Sequence, residues 1–264
     1  MPSGPLYYID AQIITIILFI SLIAALEIGY RLGRQARGNT DDTAKSQSGT
    51  IQGAVIGVLA LLLAFTLSMA ISRYETRRQL VLDEANAIGT TYLRSKMLPA
   101  PYPAQAADLL RQYVANRLEF YNAGIDDVRL QADNDQAGQL QGQLWAVAAA
   151  ASALDNRAVP TGLFVQTLND TIDLQAKRLA ATRNTVPETV ILLLFGVAIA
   201  TAAIVGYNSG LSNRRHLFAA LTLIVLITVI IWVLIDLDRP RRGLILVNQQ
   251  SMLDLQQALN REVP

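Results

Sequence analysis

The amino-acid sequence predicts an all-α integral membrane protein with four transmembrane helices and a helical extramembrane domain between the second and the third. Two observations lead to this prediction. Four apolar stretches each supply roughly the 20 residues that cross a ~30 Å hydrocarbon layer. A polar segment of more than a hundred residues separates the first pair from the second pair. The apolar stretches are residues 9–30, 50–71, 187–207 and 216–235.

The composition is typical of a chain that is partly embedded in a membrane and partly exposed to water. Hydrophobic residues make up 52% of the chain and charged residues 16%. A soluble α-helical protein of 264 residues would have to bury four nearly uncharged helices on all their faces, which is uncommon. The net charge of +1 and the absence of a long basic run argue against nucleic acid as a partner. The partner that the composition indicates is the lipid bilayer.

The first apolar stretch is interpreted as a retained transmembrane helix and not as a signal peptide. Residues 1–10 carry no Lys or Arg, and the apolar run is longer than the about 7–15 residues of a signal peptide. The charges leave the orientation of the protein open. The two short loops have the higher density of Lys and Arg, whereas the opposite side has the larger number. The uncharged N-terminus mildly favours a helical domain outside the cell.

The second transmembrane helix is expected to continue beyond the membrane as far as about Met97. No proline interrupts it, and the residues that follow position 71 are good helix formers. Its length would then be roughly 70 Å. Gly89 is the expected weak point, and the prolines at 99, 101 and 103 end the helix.

The rest of the polar segment is predicted to form three helices, since apolar residues recur at helical spacing. They cover about 104–122, about 125–156, and a segment that follows Pro160 and Gly162 up to about Arg183. Gly124 has the position of a C-terminal cap. The predicted divisions of the chain are residues 1–71 for transmembrane helices 1 and 2, 72–186 for the extramembrane domain, 187–236 for transmembrane helices 3 and 4, and 237–264 for a helical C-terminal tail.

Small residues form a stripe along the second transmembrane helix. Glycines recur every fourth residue from Gly49 to Gly57, and alanines and a serine continue the stripe to Ser68. Small side chains at this spacing let helix backbones approach closely. The stripe either packs against the first or third transmembrane helix, or meets copies of itself around an axis. In the second interpretation, the candidate pore-lining residues are Gln52, Gly53, Gly57, Ala60, Ala64 and Ser68.

Charged residues cluster where the fourth transmembrane helix ends. Asp236 and Asp238 lie at the edge of the hydrocarbon, where an unpaired carboxylate is costly. Arginines follow them at once, and others follow the second transmembrane helix on the same side of the membrane. We hypothesise that the two aspartates pair with Arg73, Arg77 or Arg78, with interfacial anchoring, ion coordination and gating as open roles. We call this group the charged seam: Arg73, Arg77, Arg78, Asp236, Asp238 and Arg239.

The residues needed for enzyme chemistry are scarce. The chain has no Cys and a single His, His216, which excludes disulfides, thiolate or polyhistidine metal sites and a catalytic triad away from that position. No phosphate-binding or dinucleotide-binding motif occurs. The acidic residues between Asp126 and Asp135 lack the spacing of a calcium loop. We therefore expect neither catalysis nor a cofactor nor a metal site.

Four short segments carry a resemblance to a known family. They are GTIQGA at 49–54, RRQL at 77–80, EANAIGT at 84–90 and DLDRPRRG at 236–243. Together they resemble the bacterial bestrophin-like proteins with four membrane spans, catalogued as DUF4239, over essentially the whole chain. Bestrophins are pentameric channels that conduct chloride, or cations in some bacteria, through a pore lined by the second transmembrane helix. Their termini and their long central segment lie in the cytosol.

The resemblance implies a homo-oligomeric ion channel, of five copies as in bestrophins, in the bacterial inner membrane. Its permeant would be an inorganic ion of unassigned type, and its helical domain would face the cytosol. Bestrophin pores are constricted by apolar and often aromatic residues, whereas this helix offers small residues and only Phe65 as an aromatic. The gate is therefore not assigned to a residue. The alternative is a membrane-anchored scaffold or sensor whose helical domain binds a protein partner.

Overall fold

The computed structural model describes residues 5–154 and 158–261, and these residues form helices and connecting segments without a strand. A single turn of 3-10 helix, Arg37–Asn39, follows the second helix. The α-helices are α1 (Pro5–Tyr8), α2 (Ala11–Ala36), α3 (Asp42–Ser95), α4 (Tyr102–Asn122), α5 (Asp127–Leu154), α6 (Ala158–Arg183), α7 (Glu188–Leu211), α8 (Leu217–Asp238) and α9 (Gln250–Arg261).

The chain divides into two compact units. The first unit contains the chain up to Arg73 together with Thr185–Arg239 and Gly243–Ile245. The second unit contains Tyr74–Asn184, Pro240–Arg242 and the chain from Leu246 onward. Helix α3 supplies residues to both units, because the division falls inside it.

The first unit holds the helices that cross the membrane. Four helical segments are long and apolar enough to do so, and they contain α2, α3, α7 and α8. The predicted fold class, an all-α protein with four transmembrane helices, is confirmed. Helix α2 continues six residues past the predicted end at Tyr30, since Arg31 pairs with Glu27 one turn earlier at 2.9 Å and supports the helix.

Two glycine pairs bring α2 and α7 into backbone contact. A Cβ atom at Gly29 would lie 2.0 Å from the carbonyl oxygen of Ala203, and one at Gly206 would lie 2.0 Å from that of Leu26. Gly33 and Gly210 extend the contact by one turn in each helix. Only glycine permits backbones to come so close, and both pairs have the four-residue spacing of membrane helix contacts. This contact is absent from the sequence-based expectations, although its spacing is visible in the sequence.

Helix α3 runs for 54 residues without interruption, as expected from the absence of proline. The expected weak point at Gly89 does not break the helix. A Cβ atom there would be in ordinary contact, 3.4 Å, with Leu255 of α9. The helix ends at Ser95, four residues before Pro99.

The second unit has a hydrophobic core between α4, α5, α6 and α9, with part of α3. Tyr113, Leu144, Phe164 and Met252 supply one fully buried side chain from each of those four helices. Gly124 follows the end of α4 with a φ of +60°, so the predicted C-terminal cap is confirmed.

Other boundaries also differ from the sequence-based expectations, and α3 begins at Asp42, before the expected start near residue 50. Helices α4 and α6 begin earlier than expected, because Pro103 and Pro160 lie in their first turns. Residues of the first turn donate no backbone hydrogen bond within the helix, so the missing N–H of proline has no effect there. The expected end of α5 at residue 156 lies outside the described residues. The C-terminal tail is helical only over α9, and residues 239–249 connect it to α8 without a helix.

Candidate pore-lining face and charged seam

Helix α3 packs on the first unit through one narrow stripe of side chains. Within the transmembrane part, the buried residues are Leu59, Leu63, Thr66 and Ala70. At about 100° per residue these four lie within a sector of about 60° of the helix surface. Half-buried side chains such as Leu62 and Leu67 flank this sector, and the rest of the circumference is exposed.

The small-residue stripe lies outside that buried sector. No atom lies within 4 Å of a Cβ built at Gly49, Gly53 or Gly57, and Ala60, Ala64 and Ser68 are exposed. The centre of the stripe is about 120° from the centre of the buried sector. The interpretation that these small residues pack against another transmembrane helix of the same chain is therefore wrong.

Gln52 stands apart from the other five candidate pore-lining residues. It lies at about the angle of the buried sector. The Asn208 side-chain amide of α7 donates to Gln52 Oε1 at 2.6 Å and to the Ser48 carbonyl oxygen at 3.1 Å. A cleft of about 380 Å³ adjoins this contact, and the single histidine, His216, also lines it. Gln52 thus fixes α3 to α7 within the chain.

A third sector of α3 carries large apolar side chains. It lies between the small-residue stripe and the buried sector on the far side of the helix. Its residues are exposed, with Phe65 the most exposed of them at 67%. Large apolar side chains are what a helix presents to lipid acyl chains. The residues of this sector are Ile51, Val58, Leu61, Phe65 and Met69.

Asp236 of the charged seam is bound by main-chain groups. Its fully buried carboxylate accepts hydrogen bonds from the backbone N–H groups of Leu244 at 2.9 Å and Ile245 at 2.7 Å. Gly243 makes this turn possible, since its φ is +105° and a Cβ atom there would lie 2.1 Å from Asp236 Oδ1. The carboxylate of Asp236 is therefore bound by main-chain N–H groups and not by an arginine as hypothesised. It stabilises the turn that follows α8.

Asp238 combines a main-chain contact with an arginine. Its carboxylate accepts from the backbone N–H of Val186 at 2.9 Å and 3.0 Å. Arg73 Nη1 lies 3.8 Å from Asp238 Oδ1, with both side chains mostly buried. Arg239 donates to the carbonyl oxygen of Ile9, at the start of the first transmembrane helix. These contacts connect residues at or near the ends of all four transmembrane segments within the first unit.

The other two seam arginines belong to the second unit. The buried Arg77 donates to the carbonyl oxygens of Ala181 at 3.1 Å and Asn184 at 2.8 Å, near the end of α6. Arg78 is exposed and pairs with Glu75 at 3.0 Å, one turn earlier on α3.

A buried charged cluster in the second unit is absent from the sequence-based site residues. Glu84 is fully buried and accepts from Arg117 Nε at 2.9 Å and from the guanidinium of Arg178. A signal for it exists in the sequence. Glu84 falls on the same helical face as Val81 and Ile88, and a carboxylate on an apolar face requires a buried partner.

A metal centre has no support in the part of the chain that the structure describes. No group of three or more His, Asp or Glu side chains there could hold a metal ion.

Comparison with known proteins gives one family and one fold. The model of the bestrophin-like domain matches residues 18–252 of the chain. A crystal structure of a bacterial bestrophin homologue from Klebsiella pneumoniae is similar with a TM-score of 0.68 at 14% identity, covering 97% of this chain and 100% of that one. A single-substitution variant of a bestrophin homologue from the same organism gives a TM-score of 0.63 at 15% identity, over 91% and 98%. No curated protein matches the chain.

Proposed function

Because this chain belongs to the bestrophin-like family, we propose that it forms a homo-oligomeric ion channel in which α3 lines the pore. The observation that carries the proposal is the uncovered small-residue stripe of α3. A helix face without lipid-type side chains and without a partner in its own chain is expected to meet either another copy or water.

The three sectors of α3 fit such an assembly. The buried sector attaches the helix to its own chain, and the large apolar side chains around Phe65 suit lipid or a neighbouring copy. The small residues then face the axis, where Ser68 contributes a hydroxyl group. Selectivity would come from the width of the constriction and from dipoles that line it, without covalent chemistry. The proposed lining is Gly53, Gly57, Ala60, Ala64 and Ser68.

For the charged seam we propose an anchoring role. The carboxylate of Asp236 accepts from two main-chain N–H groups and that of Asp238 from one, and these contacts hold both side chains in fixed positions. Following the resemblance, we also propose that the protein resides in the bacterial inner membrane with the helical second unit in the cytosol.

The proposal is tested by ion flux through purified protein in liposomes, with two matched alanine substitutions. Ala64→Leu adds bulk to the small-residue stripe, and we expect it to reduce the flux at least tenfold. Ala54→Leu makes the same chemical change on an exposed position about 80° further round the helix, and we expect the flux to remain. Equal flux in both variants would contradict the pore assignment.

The oligomeric mass of the detergent-purified protein provides an independent test. Native mass spectrometry should give a closed ring of four or more copies, five if the resemblance extends to stoichiometry. A monomer or dimer would leave no axis for a pore. The alternative function, a membrane-anchored scaffold or sensor, would then be the better explanation of the helical second unit.

A further inference from the structure

The buried cluster in the second unit contains more positive than negative charge. Glu84, which is 0% exposed, forms ion pairs with two guanidinium groups, those of Arg117 and Arg178. Gln249 accepts from Arg178 Nη2 at 3.0 Å but is neutral. Arginine remains protonated in proteins, so it cannot relieve the imbalance by losing a proton. One positive charge of the cluster therefore needs a counter-charge.

The neighbouring tyrosines do not provide that charge. Burial raises the pKa of Tyr113 well above its ordinary value, since the phenolate would be desolvated and would face Glu84. The pKa of Tyr121 is also raised, again chiefly by burial. Both phenols are therefore neutral at physiological pH.

Arg117 has donors without a protein partner. The residue is 1% exposed, and its Nη1 and Nη2 atoms are buried without a hydrogen bond. Its guanidinium carbon lies 4.8 Å from the centre of the Phe120 ring, a cation–π contact that uses the face of the group and leaves its N–H edges unsatisfied. Buried donors of a charged group are costly to leave without an acceptor.

Arg117 lines a small cavity of about 30 Å³. A single water molecule needs about 10–15 Å³ of such space, so the cavity is large enough for a monatomic anion. Among the described residues that line the cavity there is no carboxylate. The lining includes the arginines Arg77, Arg117, Arg178 and Arg241, together with the apolar residues Phe120 and Val81.

We propose that this cavity binds a halide-sized anion, chloride in the cell, that accepts hydrogen bonds from Arg117 and compensates the charge of the Arg117–Glu84–Arg178 cluster. The site lies wholly within the second unit. It is independent of whether the protein conducts ions, so a failed flux experiment leaves it standing. The bound anion would act as a structural element that stabilises the helical second unit.

The first test compares the thermal unfolding of the full-length protein in sodium chloride and in sodium gluconate at equal ionic strength. Gluconate is a much larger anion than chloride, so the wild-type Tm should be higher in chloride by about 3–6 °C once chloride exceeds its Kd tenfold. Arg117→Met leaves one arginine for one glutamate and should abolish the difference between the two salts. Arg129→Met removes an exposed arginine as a control and should retain it. A wild-type Tm that is equal in the two salts would overturn the proposal.

The second test does not depend on how well the variants fold. Crystals of the wild-type protein grown in sodium bromide should give an anomalous difference peak within hydrogen-bonding distance of Arg117 Nη1 or Nη2. An empty cavity in those crystals would refute the assignment. In the first test, a salt dependence of Tm that persists in Arg117→Met would also refute it.

Discussion

The backbone contact between α2 and α7 predicts that Gly206→Ala will destabilise the protein strongly. The new Cβ would lie 2.0 Å from the carbonyl oxygen of Leu26, whereas ordinary contact begins at 3.4 Å. The two helices must therefore separate locally by about 1.4 Å, the difference between these distances. The obstructing atoms belong to the backbone of α2, so no side chain can rotate away.

The cost follows from that separation. A gap of about 0.5–1 Å already forfeits a quarter to a half of the dispersion energy of the contacts it opens. Overpacking of this kind costs about 1–3 kcal/mol, and we expect the upper end because glycines of both helices share the interface. The apparent Tm should fall by about 6–12 °C.

The assay is thermal unfolding of the detergent-purified protein, followed by intrinsic tryptophan fluorescence. Gly196→Ala is the matched control, since it lies on the same helix and its Cβ would meet no atom within 4 Å. That variant should be neutral, or more stable by up to about 1 kcal/mol, because alanine favours the helix. Equal Tm values for the two variants would refute the close approach of α2 and α7.

Two further predictions concern the turn after α8. Gly243→Ala should prevent stable folding, since alanine would have to adopt a φ of +105° and its Cβ would lie 2.1 Å from Asp236 Oδ1. The control Gly124→Ala, at a φ of +60° in open space, should cost only about 1–2 kcal/mol. Comparable yields of folded protein for the two variants by size-exclusion chromatography would contradict this prediction. Asp236→Ala should lower the free energy of unfolding by about 2–6 kcal/mol, because two backbone N–H groups lose their acceptor. The control Asp254→Ala, at an exposed position, should change it by no more than about 0.5 kcal/mol. Thermal unfolding measures both variants, and a small effect at Asp236 would argue against its contacts with the main chain.

The transmembrane architecture could be predicted from the sequence because it depends on local properties. A run of about 20 apolar residues must cross the bilayer as a helix, whatever its neighbours are. The continuity of α3 was predictable for the same reason, since it required only the absence of proline before Pro99. Gly124 is a similar case, because a single glycine at a helix end indicates a backbone conformation with positive φ.

The partners of individual residues could not be predicted in this way. Gly29 and Gly206 are 177 positions apart, and nothing in either helix alone indicates that they meet. The sequence predicts an arginine partner for Asp236, whereas the structure gives its carboxylate the main-chain N–H groups of a turn. Which small residues pack and which stay open, as at Gly57, is a property of the tertiary arrangement.

The pairing of α2 with α7 has a consequence for how the protein is made. Helix α2 ends at Ala36 and α7 at Leu211, so 175 residues must be synthesised between the two. At about 5–20 residues per second, the ribosome needs roughly 9–35 s for that stretch. During this time the glycine surface of α2 lies in the membrane without α7 packed against it. A fragment that stops before α7 would carry the same glycine surface without its partner.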